Sequence, residues 1–204
     1  MQSVFLIPPD SVEYFPENYF APLDLAALFP HQPGAPLEVD LGSGDGTFLI
    51  AMTNRAPERN FLGVERLLGR VRRTCRYMAR TGATNGRIIR VESHYLVRYL
   101  LSRASVSVMH VMFPDPWPKR RHQPKRLIQT AFLDDAREAL APGGELRLTT
   151  DDAPYFAHMR EVFKAHTGFV EEEWNPGDDY PQTDFERMFR EKGMPIYRAL
   201  LRRT

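Results

Sequence analysis

The chain has 204 residues, enough for one α/β domain with a substantial core and too few for two comfortable ones. A hydrophobic share of 43% and a charged share of 26% exclude a largely disordered or membrane-embedded chain, and no apolar run reaches membrane-spanning length. The net charge of +1 conceals two basic clusters, one with six arginines between Arg66 and Arg80 and one from Lys119 to Arg126.

Residues 1–35 contain Pro8, Pro9, Pro16, Pro22, Pro30 and Pro33, which predict an irregular arm with a short helical piece near Leu23 to Phe29. Its aromatics Phe5, Tyr14, Phe15, Tyr19 and Phe20 are expected to pack on the single domain that fills residues 36–204. Asp10 and Glu13, with no basic segment before an apolar core, do not form a signal peptide, so a cytoplasmic protein is expected. The lone Cys75 has no partner for a disulfide, and the histidines show no metal-ligand spacing, so no metal is expected.

Leu37, Val39 and Leu41 supply a buried strand, and Gly42, Gly44 and Gly46 follow in a G-x-G-x-G turn that leads into a helix opening at Phe48. A dinucleotide fingerprint requires G-x-G-x-x-G, and position 47 is Thr. Glu38, Asp40 and Asp45 beside the turn disfavour a pyrophosphate and suit a ligand carrying positive charge, which S-adenosylmethionine is. A second strand, Asn60 to Val64, ends in Glu65, at the place where a carboxylate grips ribose hydroxyls.

Residues 67–80 predict an amphipathic helix with Leu68, Val71, Cys75 and Met78 on the buried face and Arg66, Arg70, Arg73 and Arg80 opposite, a face that is either solvated or meant for a polyanion. Arg87 to Glu92 is a third strand, after which Glu92, Ser93 or His94 is placed to meet an adenine. Val106 to Met112 is a fourth. It runs into Pro114-Asp115-Pro116-Trp117-Pro118, which the prolines fix as an extended loop presenting Asp115, with Trp117 either an anchor or a stacking surface.

Leu127 to Leu140 is helical, Pro142-Gly143-Gly144 is a turn, and Glu145 to Thr150 is a strand ending at Asp151. Ala153 to His166 is a helix, Phe169 to Glu171 a sixth strand, and Ile196 to Arg202 a seventh, expected antiparallel at the sheet edge. Between these two strands lies an excursion, Gly177 to Met194, too long for a hairpin and therefore expected to be functional.

With these pieces in order, residues 35–204 resemble the bacterial tRNA (guanine-N7)-methyltransferase family. The resemblance rests on Glu38 to Gly46, Gly63-Val64-Glu65, Pro114-Asp115-Pro116-Trp117 with its basic follow-on, and Thr150-Asp151 with Thr183-Asp184-Phe185-Glu186. Asp40 stands where the family usually has a further glycine, Pro124 interrupts the basic run, and Glu92-Ser93-His94 replaces the usual Asp or Asn followed by Ala.

The resemblance implies a Rossmann-like S-adenosylmethionine-dependent methyltransferase fold, a mostly parallel seven-stranded sheet with an antiparallel edge strand. It implies methyl transfer to N7 of a guanosine in the tRNA variable loop, with Asp115 essential. Glu38, Gly42, Gly44, Gly46, Glu65, Glu92 and Ser93 would hold the cofactor. Lys119, Arg120, Arg121, Asp151, Thr183 and Glu186 would meet the substrate, with Lys125 and Arg126 adding to the phosphate grip. A methyltransferase for another RNA or a small molecule, and a non-catalytic RNA-binding module, are the rival readings, and monomer and homodimer both stay open.

Overall fold

The computed structural model describes residues 11–177 and 179–204. Phe5, Pro8, Pro9 and Asp10, on which part of the arm reading rests, lie outside the described residues. Among the described residues eight strands form one sheet: β1 (Glu13–Tyr14), β2 (Leu37–Leu41), β3 (Asn60–Val64), β4 (Gly86–Ile89), β5 (Val106–Met112), β6 (Leu140–Thr150), β7 (Phe169–Glu172) and β8 (Tyr197–Arg203). Their order across the sheet is β1-β4-β3-β2-β5-β6-β8-β7. All neighbours from β1 to β6 run parallel, and β8 lies antiparallel to both β6 and β7. The strand beyond the expected seven comes from the arm, where Glu13 and Tyr14 pair with Ile88 and Ile89. The antiparallel strand is the last in the chain, as expected, but it is inserted one position in from the margin, with β7 outside it.

Strand alternation explains how β2 serves two masters. Leu37, Val39 and Leu41 face the larger apolar cluster, built with α1 (Leu25–Leu28), α4 (Ser93–Tyr95) with its continuation Leu96–Leu100, α5 (Thr130–Ala139) and α6 (Ala153–Lys164). Glu38 and Asp40 point to the opposite face, which is covered by α2 (Thr47–Arg55) and α3 (Leu68–Thr81) through Phe48, Leu49, Met52 and Met78. Leu23, Leu28 and Phe29 of the arm are buried in the larger cluster, so this part of the arm belongs to the core. Tyr14 and Tyr19 pack against it, whereas Phe15 and Phe20 are exposed.

Two local expectations need correcting, and one segment gains an element. The buried face of α3 is Val71, Thr74 and Met78; Leu68 is exposed and Cys75 half-buried, because Thr74 takes the place against the glycine turn. Pro142-Gly143-Gly144 does not separate a helix from a strand but bulges out of β6, since Val106 and Val108 pair with Leu140 and Glu145. The excursion contains a helix, α7 (Asp184–Glu191), whose N-cap Thr183 accepts a hydrogen bond from the Glu186 N–H at 3.0 Å. The T-x-x-E spacing is a helix-start signal that makes α7 readable from sequence.

After β2 the chain moves through β3 and β4 to one side, and β5 is then laid on the other side of β2. The loops leaving the C-terminal ends of β2 and β5 therefore diverge and leave a crevice, where open α/β sheets bind their ligands. No helix among the described residues is long and apolar enough to cross a membrane.

Candidate active site

A cavity of about 550 Å³ occupies that crevice. The glycine turn forms its floor, Val64 to Arg66 and Val91 to Ser93 one wall, and Phe113 to Asp115 with Trp117 the other; Thr183 to Phe185 close over the top. The turn is held by Gly42 and Ser43 N–H groups that both donate to the Val64 carbonyl at 2.9 Å. Gly42 and Gly44 have φ of +81° and +57°, and a Cβ on Gly42 would meet nothing within 4 Å, so bare backbone faces the cavity. Gly46 plays a different part from the one expected. It does not line the cavity, and a Cβ there would lie 2.4 Å from the Thr74 side chain, so its absence lets α2 and α3 approach.

The acid at the turn is Asp40, not Glu38. Asp40 lines the cavity, is buried, and its Oδ2 has no hydrogen-bond partner. Burial, with the Glu65 charge adding to it, pushes its pKa up to about 7. Glu38 points to the same face but sits one pleat below, away from the strand's C-terminal end, and lines a different depression. Its carboxylate accepts from His110 Nε2 at 2.7 Å and from Arg59 at 2.9 Å. Burial raises the Glu38 pKa, but the His110 hydrogen bond and the charges of Arg147 and Arg59 outweigh it and hold the group below the ordinary value. Burial keeps His110 below its ordinary value despite Glu38, so the ring is neutral, donates from Nε2 to Glu38 and leaves Nδ1 facing the Tyr180 hydroxyl at 3.5 Å. This pairing ties the excursion to the sheet instead of binding a ligand.

Glu65 lines the cavity, with Oε1 accepting from the Leu67 N–H at 2.8 Å and Oε2 lying 3.6 Å from Arg70. Glu92 and Ser93 line it as well. Glu92 also caps the helix that follows, accepting from the His94 and Tyr95 N–H groups at 3.0 and 2.7 Å. His94 turns away to Asp135 at 2.8 Å and does not line the cavity.

Asp115 stands exposed at the mouth and makes no hydrogen bond or ion pair with the described residues. The loop that carries it is strained at both ends, since Phe113 and Trp117 have φ of +53° and +44°. Two braces hold it. The Phe113 N–H donates to the Thr149 carbonyl at 2.8 Å, and Arg126 Nε donates to the Pro116 carbonyl at 2.8 Å while its guanidinium lies 4.7 Å from the Tyr155 ring centroid. Arg126 is therefore a buried strut and not part of the phosphate grip. Sequence gave no sign of this, because one arginine in a basic run looks like the next. Lys119, Arg120, Arg121 and Lys125 are exposed, with the Lys125 ammonium 5.0 Å from the Trp117 ring centroid.

The later candidates divide. Thr183 lines the cavity, and its neighbour Asp184, which the expected set omitted, accepts from the Thr47 hydroxyl at 2.7 Å and so fastens α7 onto the start of α2. Glu186 is buried away from the cavity, in ion pairs with Arg190 at 2.9 Å and with Arg198. Asp151 does not line the cavity either. Among the described residues, no three His, Cys, Asp or Glu side chains converge as metal ligands.

The bare Gly42 and Gly44 cradle and the orphaned Asp40 carboxyl fit a small ligand with a cationic centre, as S-adenosylmethionine has. The chain matches a family described as "Putative methyltransferase" over residues 34–199. Solved structures share the fold: a 30S ribosomal methyltransferase from an uncultured bacterium has a TM-score of 0.60 at 14% identity, covering 89% of this chain and 95% of its own. An S-adenosylmethionine-dependent O-methyltransferase from Thermotoga maritima has a TM-score of 0.58 at 14% identity, with 83% and 60% covered. Two relatives, each called tRNA (guanine-N(7)-)-methyltransferase, are much nearer in sequence. The one from Aeromonas hydrophila is 34% identical over 98% of this chain and 84% of its own length. The one from Leifsonia xyli is 40% identical over 86% and 78%. With identity of this order along nearly its whole length, on a site of matching chemistry, the chain belongs to the bacterial tRNA (guanine-N7)-methyltransferase family.

Proposed function

We propose that this protein transfers a methyl group from S-adenosylmethionine to N7 of a guanosine in the variable loop of tRNA, in the cytoplasm. The observation that carries the reading is the pairing of two unpartnered carboxyl groups on one cavity: Asp40 buried beside a bare glycine cradle, and Asp115 exposed on a braced loop at the mouth. The first suits a cofactor carrying positive charge. The second suits a base that becomes positive.

The cofactor supplies an activated methyl group when bound. Guanine N7 has a free lone pair at neutral pH, so the protein does not have to remove a proton. Its task is to align N7 with the methyl group and to place negative potential beside the purine as charge develops. Asp115 performs the second part: its carboxylate accepts from guanine N–H donors and favours the cationic ring. Gly42 and Gly44 let the cofactor approach the backbone, Glu65 faces its ribose, and Glu92 and Ser93 lie at the adenine end. Thr183 closes the cavity, held there by the Asp184 and Thr47 hydrogen bond. Lys119, Arg120 and Arg121 carry uncompensated charge for the phosphates around the target, and Trp117 offers a ring to a base drawn from its stack.

Incubation with methyl-labelled S-adenosylmethionine and bulk tRNA, followed by nucleoside digestion, tests the proposal. Label in 7-methylguanosine supports it; label confined to another nucleoside, or none in tRNA, overturns it.

A further inference from the structure

The arginines of α3 form an ordered array that the cavity chemistry does not use. Arg70, Arg73, Tyr77 and Arg80 follow one another at three- and four-residue steps, which sets them in a single stripe along the outer side of the helix, with Arg76 beside it, three residues after Arg73 and four before Arg80, and Arg66 just ahead of the helix's first turn. Tyr77 is part of the stripe: the Arg73 and Arg80 guanidiniums lie 5.7 and 5.8 Å from its ring centroid, and the ring is 41% exposed.

The stripe starts at the cavity. Arg66 and Arg70 line its mouth, and Arg73 is anchored to Asp45 of the glycine turn at 3.1 Å. From there it follows a 14-residue helix, about 21 Å long at ~1.5 Å per residue. No acid occurs between Arg66 and Val91. Several surface arginines elsewhere have carboxylate partners, such as Arg55 with Asp179, Arg103 with Glu138 and Arg160 with Glu171. Arg66, Arg76 and Arg80 have none among the described residues. Arginines left unpaired around an exposed aromatic ring form a surface for a polyanion that also carries flat rings.

We infer that this face of α3 is a second RNA-contact surface, which tracks the tRNA backbone away from the nucleotide in the cavity while Tyr77 packs on an unpaired base or ribose. The inference rests on the tRNA reading above and adds to it where the rest of the substrate lies: outward from the mouth on the α3 side, opposite the Lys119 to Arg121 loop.

The double variant Arg76→Gln with Arg80→Gln tests it, since neither residue lines the cavity or pairs with an acid. Binding of full-length tRNA over a salt series should weaken about tenfold at low salt. The slope of log affinity against log salt should flatten by about 1.4 to 1.8, for two phosphate contacts at ~0.7 to 0.9 each. S-adenosylmethionine affinity and kcat at saturating tRNA should stay at wild-type values while KM rises. Tyr77→Ala should raise KM too, and Tyr77→Phe should restore it. Wild-type affinity and slope in the double variant overturn the inference, as does a fall in kcat, which would put these charges at the reacting base. If the wild type bound tRNA but formed no 7-methylguanosine, the earlier reading would fail, and the slope would still decide whether α3 contacts RNA.

Discussion

Asp40→Asn perturbs the one buried carboxyl in the cavity that has no partner. The acid's pKa rises from 3.8 to about 7 in the ligand-free fold, and at 1.36 kcal/mol per pH unit that difference is about 4 kcal/mol. The sign follows from where the proton sits. Below pH 3.8 both states hold it; between 3.8 and about 7 the folded state keeps a proton that the unfolded state has lost, so stability falls as pH rises. Asn does not titrate, so urea melts of the two proteins should draw together, or cross in favour of the variant, between pH 4 and 8, by up to about 4 kcal/mol. A cationic ligand beside Asp40 favours its ionised form, so S-adenosylmethionine binding near pH 7 should release about half a proton from the wild type and none from the variant. Calorimetry in buffers of different ionisation enthalpy counts that proton. Parallel stability curves together with a buffer-independent binding enthalpy in the wild type would refute the assignment of Asp40 to the cofactor's positive end.

Other outcomes follow from the same geometry. Gly44→Val puts a branched side chain at φ +57° into the cavity, at about 1 to 2 kcal/mol of backbone strain, so calorimetry should find S-adenosylmethionine binding abolished in a folded protein. Asp115→Asn keeps shape and one acceptor but loses the charge that favours the cationic purine; single-turnover methylation should fall about a hundredfold or more, about 2.7 kcal/mol, with both ligands still bound. Arg126→Met removes the brace on the Pro116 carbonyl, so thermal melts should show about 1 to 3 kcal/mol lost and kcat should fall, while the salt slope of tRNA binding stays at the wild-type value because the strut meets no phosphate.

Much of the fold was readable because its signals are local and periodic. Alternation over Leu37 to Leu41, the glycine turn, the strand end at Glu65 and the proline-fixed loop around Asp115 each constrain backbone geometry directly. The errors arose where long-range partners decide. Glu38 and Asp40 share one face of β2 and look equivalent in the chain, yet only the residue nearer the strand's C-terminal end reaches the crevice, and His110 and Arg59 consume the other. A rule that ligands meet α/β sheets at strand C-termini would have chosen Asp40 from sequence alone. Gly46 looked like a third ligand glycine, but its function depends on Thr74, 28 positions later in the chain. The resemblance implies a binding role for Glu186, but in α7 its carboxylate is held by Arg190 and Arg198, partners that the T-x-x-E motif does not reveal.

If N7 of guanosine is the atom methylated, replacing that nitrogen removes the acceptor and leaves the rest of the tRNA in place. Wild-type protein is incubated with methyl-labelled S-adenosylmethionine and two tRNA transcripts, one ordinary and one made with 7-deazaguanosine, in which a C–H group takes the place of N7. Label should enter the first and not the second, with the two transcripts bound at similar affinity. Equal labelling of both would contradict it, since methyl transfer would then require no lone pair at that position.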